Sequence, residues 1–173
     1  FTLTQSNGKW RVLKGEKSLA ELKPVPSPRF YEKTTRDGTS MRKVAVLHGK
    51  DCLASTVYSK CAYWSIGRQC KFCGIELASN DRLMQKSPQQ LAEVAGQAFK
   101  EGVAKHVTLT LGTTPRQDKG ASMLAEATYS IRQYANLPVH GQLEPPHDTK
   151  FLEHLFSAGL DTVGIHIESF DEH

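Results

Sequence analysis

No apolar run in this sequence approaches the ~20 residues that a membrane-spanning helix needs, so no membrane role is expected. The first residues, FTLTQSNGKW, lack the basic patch and apolar core of an export leader. They also lack an initiator methionine, as expected of a chain trimmed at that end. Cysteine is scarce, with four in 173 residues. Without an export signal, so few thiols argue against a disulfide framework. Reduced thiols in a cytoplasmic protein are the expectation, with metal binding or reactivity as their use. Runs of basic residues are missing as well. Residues 1–86 hold 16 Lys and Arg against 7 Asp and Glu, while residues 87–173 hold 6 against 11. The basic side chains stand singly, which speaks against nucleic acid. They suit a docking face for an acidic partner, or a plain solvated surface.

What the sequence does contain is an ordered alternation of elements on a chain the size of one domain. Residues 1–29 read as irregular and end in the proline-rich KPVPSPRF. RFYEKTTRDGTSMRKVAVLHG then places the turn dipeptide Asp37-Gly38 between two β-prone arms, a hairpin signal. Residues 1–50 are therefore expected to be an N-terminal extension with a β-hairpin, and 51–173 the main domain. There, CLASTVY, HVTLTLG, PVHGQLE and TVGIHIESF read as strands. Between them lies SPQQLAEVAGQAFKEG, a helix capped by Ser87, with Pro88 first, Gly102 as its stop and a stripe of Leu91, Val94, Ala95, Ala98 and Phe99. A second helix near 120–135 runs through Leu124, Ala127, Ile131 and Tyr134, and DTKFLEHLFSAG is a third, capped by Asp148 and closed by Gly159. The pattern implies an α/β fold with a parallel sheet and helices outside.

The strands alternate rather than reading as continuous apolar runs. Val107, Leu109 and Leu111 oppose Thr108, Thr110 and Gly112; Val139 and Leu143 oppose His140, Gln142 and Glu144; Val163, Ile165 and Ile167 oppose Gly164, His166 and Glu168. With the apolar sets against helices, the other face is lined by Thr, His, Gln and Glu. A curved sheet around a ligand-filled cavity accommodates such a face, and so does a sheet open to solvent on one side.

Three of the four cysteines fall in YSKCAYWSIGRQCKFCGIEL: Cys61, Cys70 and Cys73. A structural zinc site calls for four ligands, usually as two close pairs, and only Cys70 and Cys73 form one. Cys52 starts a strand that ends before Cys61, about 20 Å away at ~3.3 Å per residue, so it is expected to be buried and apolar in behaviour. Three thiolates in one loop at the C-terminal end of a strand suit a [4Fe–4S] cluster with one iron left open to a ligand. Phe72, inside the close pair, would shield such a cluster. The other reading is a zinc-binding, basic interaction module that contacts nucleic acid or an acidic protein.

CKFC after an upstream cysteine, at the end of the first strand of a βα unit, resembles the radical S-adenosylmethionine (SAM) superfamily, whose usual pattern is C-x3-C-x2-C. Here the first gap is eight residues, Ala62 to Gln69. VLHGKDCLAS together with CKFCGIEL is also similar to a branch encoded near nitrilases. The resemblance runs from about Cys52 to the end and implies a partial parallel (β/α) barrel. That barrel would be incomplete in this chain, which stops after its fourth readable strand. The resemblance implies Cys61, Cys70 and Cys73 as cluster ligands, and places the glycine-rich SAM-binding motif on Gly112, Thr113, Thr114 and Pro115, without its usual Glu. It implies further SAM contacts at Gln142, Glu144, His166 and Glu168, an unidentified small-molecule substrate, and an acidic flavodoxin or ferredoxin as electron donor.

Overall fold

The computed structural model describes residues 1–77 and 83–166. Its main body is a five-stranded sheet in the order β4 (Val46–His48), β5 (Cys52–Tyr58), β6 (His106–Leu111), β7 (Val139–Gln142) and β8 (Thr162–Gly164). β4 pairs antiparallel with β5, and the other pairs are parallel. Among the described residues the sheet does not close on itself, so the barrel is partial. Ile167, Glu168 and the rest of the fourth expected strand lie outside the described residues.

Helices α3 (Pro88–Lys100), α4 (Ala121–Tyr134) and α5 (Lys150–Ser157) follow β5, β6 and β7 in turn. Every second strand residue packs against them. Leu53, Val57, Val107, Leu109 and Val139 are buried in one core with Leu91, Val94, Ala98, Leu124, Ile131 and Leu155. The stripes sit slightly differently from the periodicity: Ala92 is buried, while Phe99 and Tyr134 at the stripe margins stay about two-fifths exposed. Ser87 caps α3 through a reciprocal pair with Gln90, and Gly102 ends it at a φ of 68°. Asp148 accepts the Lys150 N–H at the start of α5. None of these helices is long and apolar enough to cross a membrane.

The N-terminal reading needs correction. Residues 2–22 are not irregular: β1 (Thr2–Ser6), β2 (Lys9–Lys14) and β3 (Lys17–Leu22) form an antiparallel meander, and the proline-rich stretch after it has no regular structure. The expected hairpin at Asp37-Gly38 shrinks to one bridge, Thr34 with Ser40, between a 3-10 turn at Arg29–Glu32 and the short helix α1 (Met41–Val44). The turn itself exists, but it is recruited by α3. Asp37 accepts from Thr35 Oγ1, from the Thr39 N–H and from Gln90 Nε2, and these bonds hold its carboxyl down at about 2. Docked on the helix N-terminus, the arms have no edge along which to pair. The second arm becomes α1 and β4, and β4 joins the main sheet.

Candidate active site

The uncovered face of the sheet is polar and stitched across strands. Thr56 and Thr110, register partners on β5 and β6, place their hydroxyls 3.1 Å apart. Cys52 Sγ donates to Thr108 Oγ1 at 3.4 Å, and His140 Nδ1 lies 2.7 Å from Thr162 Oγ1. Cys52 is thus half-buried on this face with a polar partner, not sealed in the apolar core.

Beyond the C-terminal ends of these strands the chain walls off a cavity of about 450 Å³, within the range of small-molecule sites. Cys61, Cys70 and Cys73 line it, together with Gly112 and Thr113 after β6, Gln142 and Glu144 at the end of β7, and His166 after β8. Cys52, at the far end of β5, does not. Thr114 is buried behind the wall, its hydroxyl without a partner among the described residues. Phe72 does not line the cavity and is 72% exposed. Glu168 lies outside the described residues.

The eight-residue first gap reaches this cavity because it folds back on itself. Cys61 starts the one-turn helix α2 (Ala62–Ser65), Gly67 reverses the chain at a φ of 68°, and the Arg68 N–H returns to Tyr63 O at 2.8 Å. At the far end of the loop, Glu76 Oε1 accepts the Cys61 N–H at 2.7 Å. The loop is anchored to the segment just after β6 through the Ala62 N–H on Thr113 O, 2.7 Å. Gly112 permits the close crossing: a Cβ there would sit 2.0 Å from Lys60 O.

Tyr63 and Lys119 carry roles that no sequence pattern indicated. Tyr63 donates its hydroxyl to Glu144 Oε1 at 2.9 Å, and Lys119 Nζ lies 3.1 Å from the same oxygen. Glu144 Oε2 is buried and meets no partner among the described residues. Burial pushes the Glu144 carboxyl up, but the hydrogen bonds from Tyr63 and Lys119 and the Lys119 charge outweigh it, leaving the group below its ordinary value. The bond to Glu144, with burial and the carboxylate charge, raises the Tyr63 phenol. The cavity therefore holds an ionised carboxylate with one oxygen fixed and the other waiting for a donor.

Three thiols on one wall match an iron–sulfur group in kind. In spacing they are not yet gathered: among the described residues no three His, Cys, Asp or Glu side chains converge closely enough to hold a metal ion. A family model described as the radical SAM superfamily matches residues 67–173, taking in Cys70 and Cys73 and starting six residues after Cys61. No curated protein matches the chain.

Proposed function

Because the chain belongs to the radical SAM superfamily, we propose that Cys61, Cys70 and Cys73 hold a [4Fe–4S] cluster and that the cavity they line receives S-adenosyl-L-methionine. When bound, this pair would supply one-electron reductive cleavage of the SAM carbon–sulfur bond, with the electron from a reduced donor protein, and through it hydrogen abstraction from a substrate. The observation that carries the reading is the shared lining: three cysteines of one loop face the ends of three parallel strands across a single cavity.

The chain's own residues have separable tasks. Gly112 lets the Lys60 backbone approach, which brings the cysteine loop over the strand ends. Glu144 Oε2 accepts a hydroxyl or ammonium hydrogen of the ligand, while Tyr63 and Lys119 keep its other oxygen in place. Gln142 offers both a donor and an acceptor, His166 a ring nitrogen, and Arg68 a positive charge for a carboxylate. Ile75, Leu111 and Leu143 make the apolar part of the wall and keep water from the reacting atoms. The excess of Lys and Arg in residues 1–86 suits an acidic redox protein as electron donor, whose reduction rate should fall as salt rises.

The test is anaerobic purification with iron and sulfide supplied. A brown protein with about four irons per chain that forms 5′-deoxyadenosine with dithionite supports the reading. A colourless protein holding one zinc, with no iron uptake, overturns it.

A further inference from the structure

Phe72 cannot shield the thiols from where it stands. The Cys73 N–H closes on Cys70 O at 3.0 Å, so Lys71 and Phe72 form the tip of a tight turn whose two end residues line the cavity. Neither tip residue lines it; both face solvent. The other reversal of the same loop repeats the arrangement. Gly67 turns the chain after α2, and Ile66 beside it is 64% exposed and also outside the cavity lining. One exposed apolar side chain is ordinary. Two on the tips of the loop that carries the thiols leave apolar surface for a partner to cover.

The charge around these tips has one sign. From Tyr58 to Ile75 the chain holds Lys60, Arg68 and Lys71 and no Asp or Glu. All three cations are exposed, and none has an ion-pair partner among the described residues. The next acid, Glu76, is turned onto the Cys61 N–H. Elsewhere exposed cations are answered locally, Lys9 by Glu21, Arg36 by Glu93 and Lys150 by Asp148. Arg68 also lines the cavity, which leaves Lys60 and Lys71 as the outward charges.

We propose that the outer side of the cysteine loop is the docking surface for an acidic one-electron carrier protein, with Lys60 and Lys71 as its charges and Ile66 and Phe72 as its apolar contacts. Complementary charge speeds encounter, and redox encounters bury little surface, so a few apolar contacts beside cations suffice. The carrier is oxidised by one electron and the group held by the thiols is reduced by one. An electron arriving at Phe72 is one residue from Cys73 and two from Cys70, with no cavity to cross. That this transfer occurs rests on the function proposed above; that an acidic protein docks here does not.

The experiment titrates the full chain, without iron, with oxidised flavodoxin and separately with oxidised ferredoxin, and follows backbone amide resonances. Saturable shifts centred on Lys60, Ile66, Lys71 and Phe72 are expected for at least one carrier, with affinity falling as salt rises. Lys71→Glu should weaken binding about tenfold and Phe72→Ala about fivefold. Lys14→Glu, an equal charge change on the exposed end of β2, should stay within about twofold. In the iron-loaded protein, reduction by reduced flavodoxin should slow in Lys71→Glu, while reduction by dithionite, which needs no docking surface, should not. No saturable shift with either carrier, shifts centred elsewhere, or equal losses in Lys71→Glu and Lys14→Glu overturn the proposal. Shifts at the loop that follow the chain's own concentration rather than the carrier's also overturn it, and mark contact between copies instead. Carrier binding at the loop of a protein that takes up no iron leaves the docking surface standing and removes the radical SAM reading. Iron uptake with no carrier response at the loop does the reverse.

Discussion

Lys119 reaches Glu144 from a backbone position that side chains rarely occupy: its φ is 53°, and its Nζ sits 3.1 Å from Glu144 Oε1 with only 15% of the side chain exposed. A non-glycine residue held in the left-handed region costs about 1 kcal/mol or more. Here that conformation turns the side chain back over the cavity.

Replacing Lys119 with Met should let burial dominate and raise the Glu144 carboxyl. Its folded value lies below its ordinary 4.5, so its contribution to stability is present above that value and is lost as pH falls through the folded one. In Lys119→Met that contribution shrinks, and where burial outweighs the remaining bonds it reverses, so less stability is lost on acidification; S-adenosylhomocysteine binding to the iron-loaded protein weakens about tenfold. Lys119→Arg restores most of both. A carboxyl resonance titration of Glu144 checks the first outcome; an unchanged curve in Lys119→Met removes the positioning role.

Asp118 is the second acidic group whose protonation should matter. It is 5% exposed, and it accepts the Gly120 and Ser122 N–H groups at the entry of α4. Burial raises its carboxyl, but the Ser122 and Gly120 bonds and the Arg116 charge leave it below 3.8. Asp118→Ala should cost about 1–2 kcal/mol at neutral pH. The difference from the wild type should shrink as pH falls below the ordinary carboxylate value, as urea unfolding across that range will show.

Gly112→Ala should be costly for a steric reason. The new methyl would lie 2.0 Å from Lys60 O and 2.6 Å from its carbonyl carbon, backbone atoms with little room to yield. A loss of about 2–3 kcal/mol is expected, at the upper end for overpacking. The crossing strand would lift the cysteine loop with it. Faster alkylation of Cys61 in the variant would report that movement, and an unaltered rate would show that the loop is held elsewhere.

The four cysteines divide three to one. Cys61→Ala should abolish iron uptake, whereas Cys52→Ala, which removes the 3.4 Å contact with Thr108, should retain it at a cost of about 1 kcal/mol. Iron analysis of the two variants decides the assignment, and the opposite pattern would reverse it.

The α/β alternation was legible because the central strands carry a period of two, as in Cys52–Tyr58 and His106–Leu111, and α3 carries its own cap at Ser87. The meander was missed because its residues hardly bury anything; all six of Lys17–Leu22 are exposed, so no apolar alternation marks them. A signal was nonetheless present: Asn7-Gly8, with φ values of 51° and 74°, is the dipeptide that reverses β1 into β2. Asp37-Gly38 offered the same kind of signal but was drawn off by Gln90, a contact between residues 53 apart that no local pattern contains. In the cavity, residues at the ends of strands could be read from position along each strand. Tyr63 and Lys119 could not, since their link to Glu144 exists only once three separate loops have met.

The folded-back path between Cys61 and Cys70 bears on how such chains are recognised. A pattern that tallies positions between sulfurs measures contour, whereas coordination depends on span. With Glu76 acting as a suture on the Cys61 amide, the intervening turn can lengthen or shorten over evolutionary time while its two ends keep their places. Relatives with still other intervals would then be overlooked by any search that treats the interval as fixed.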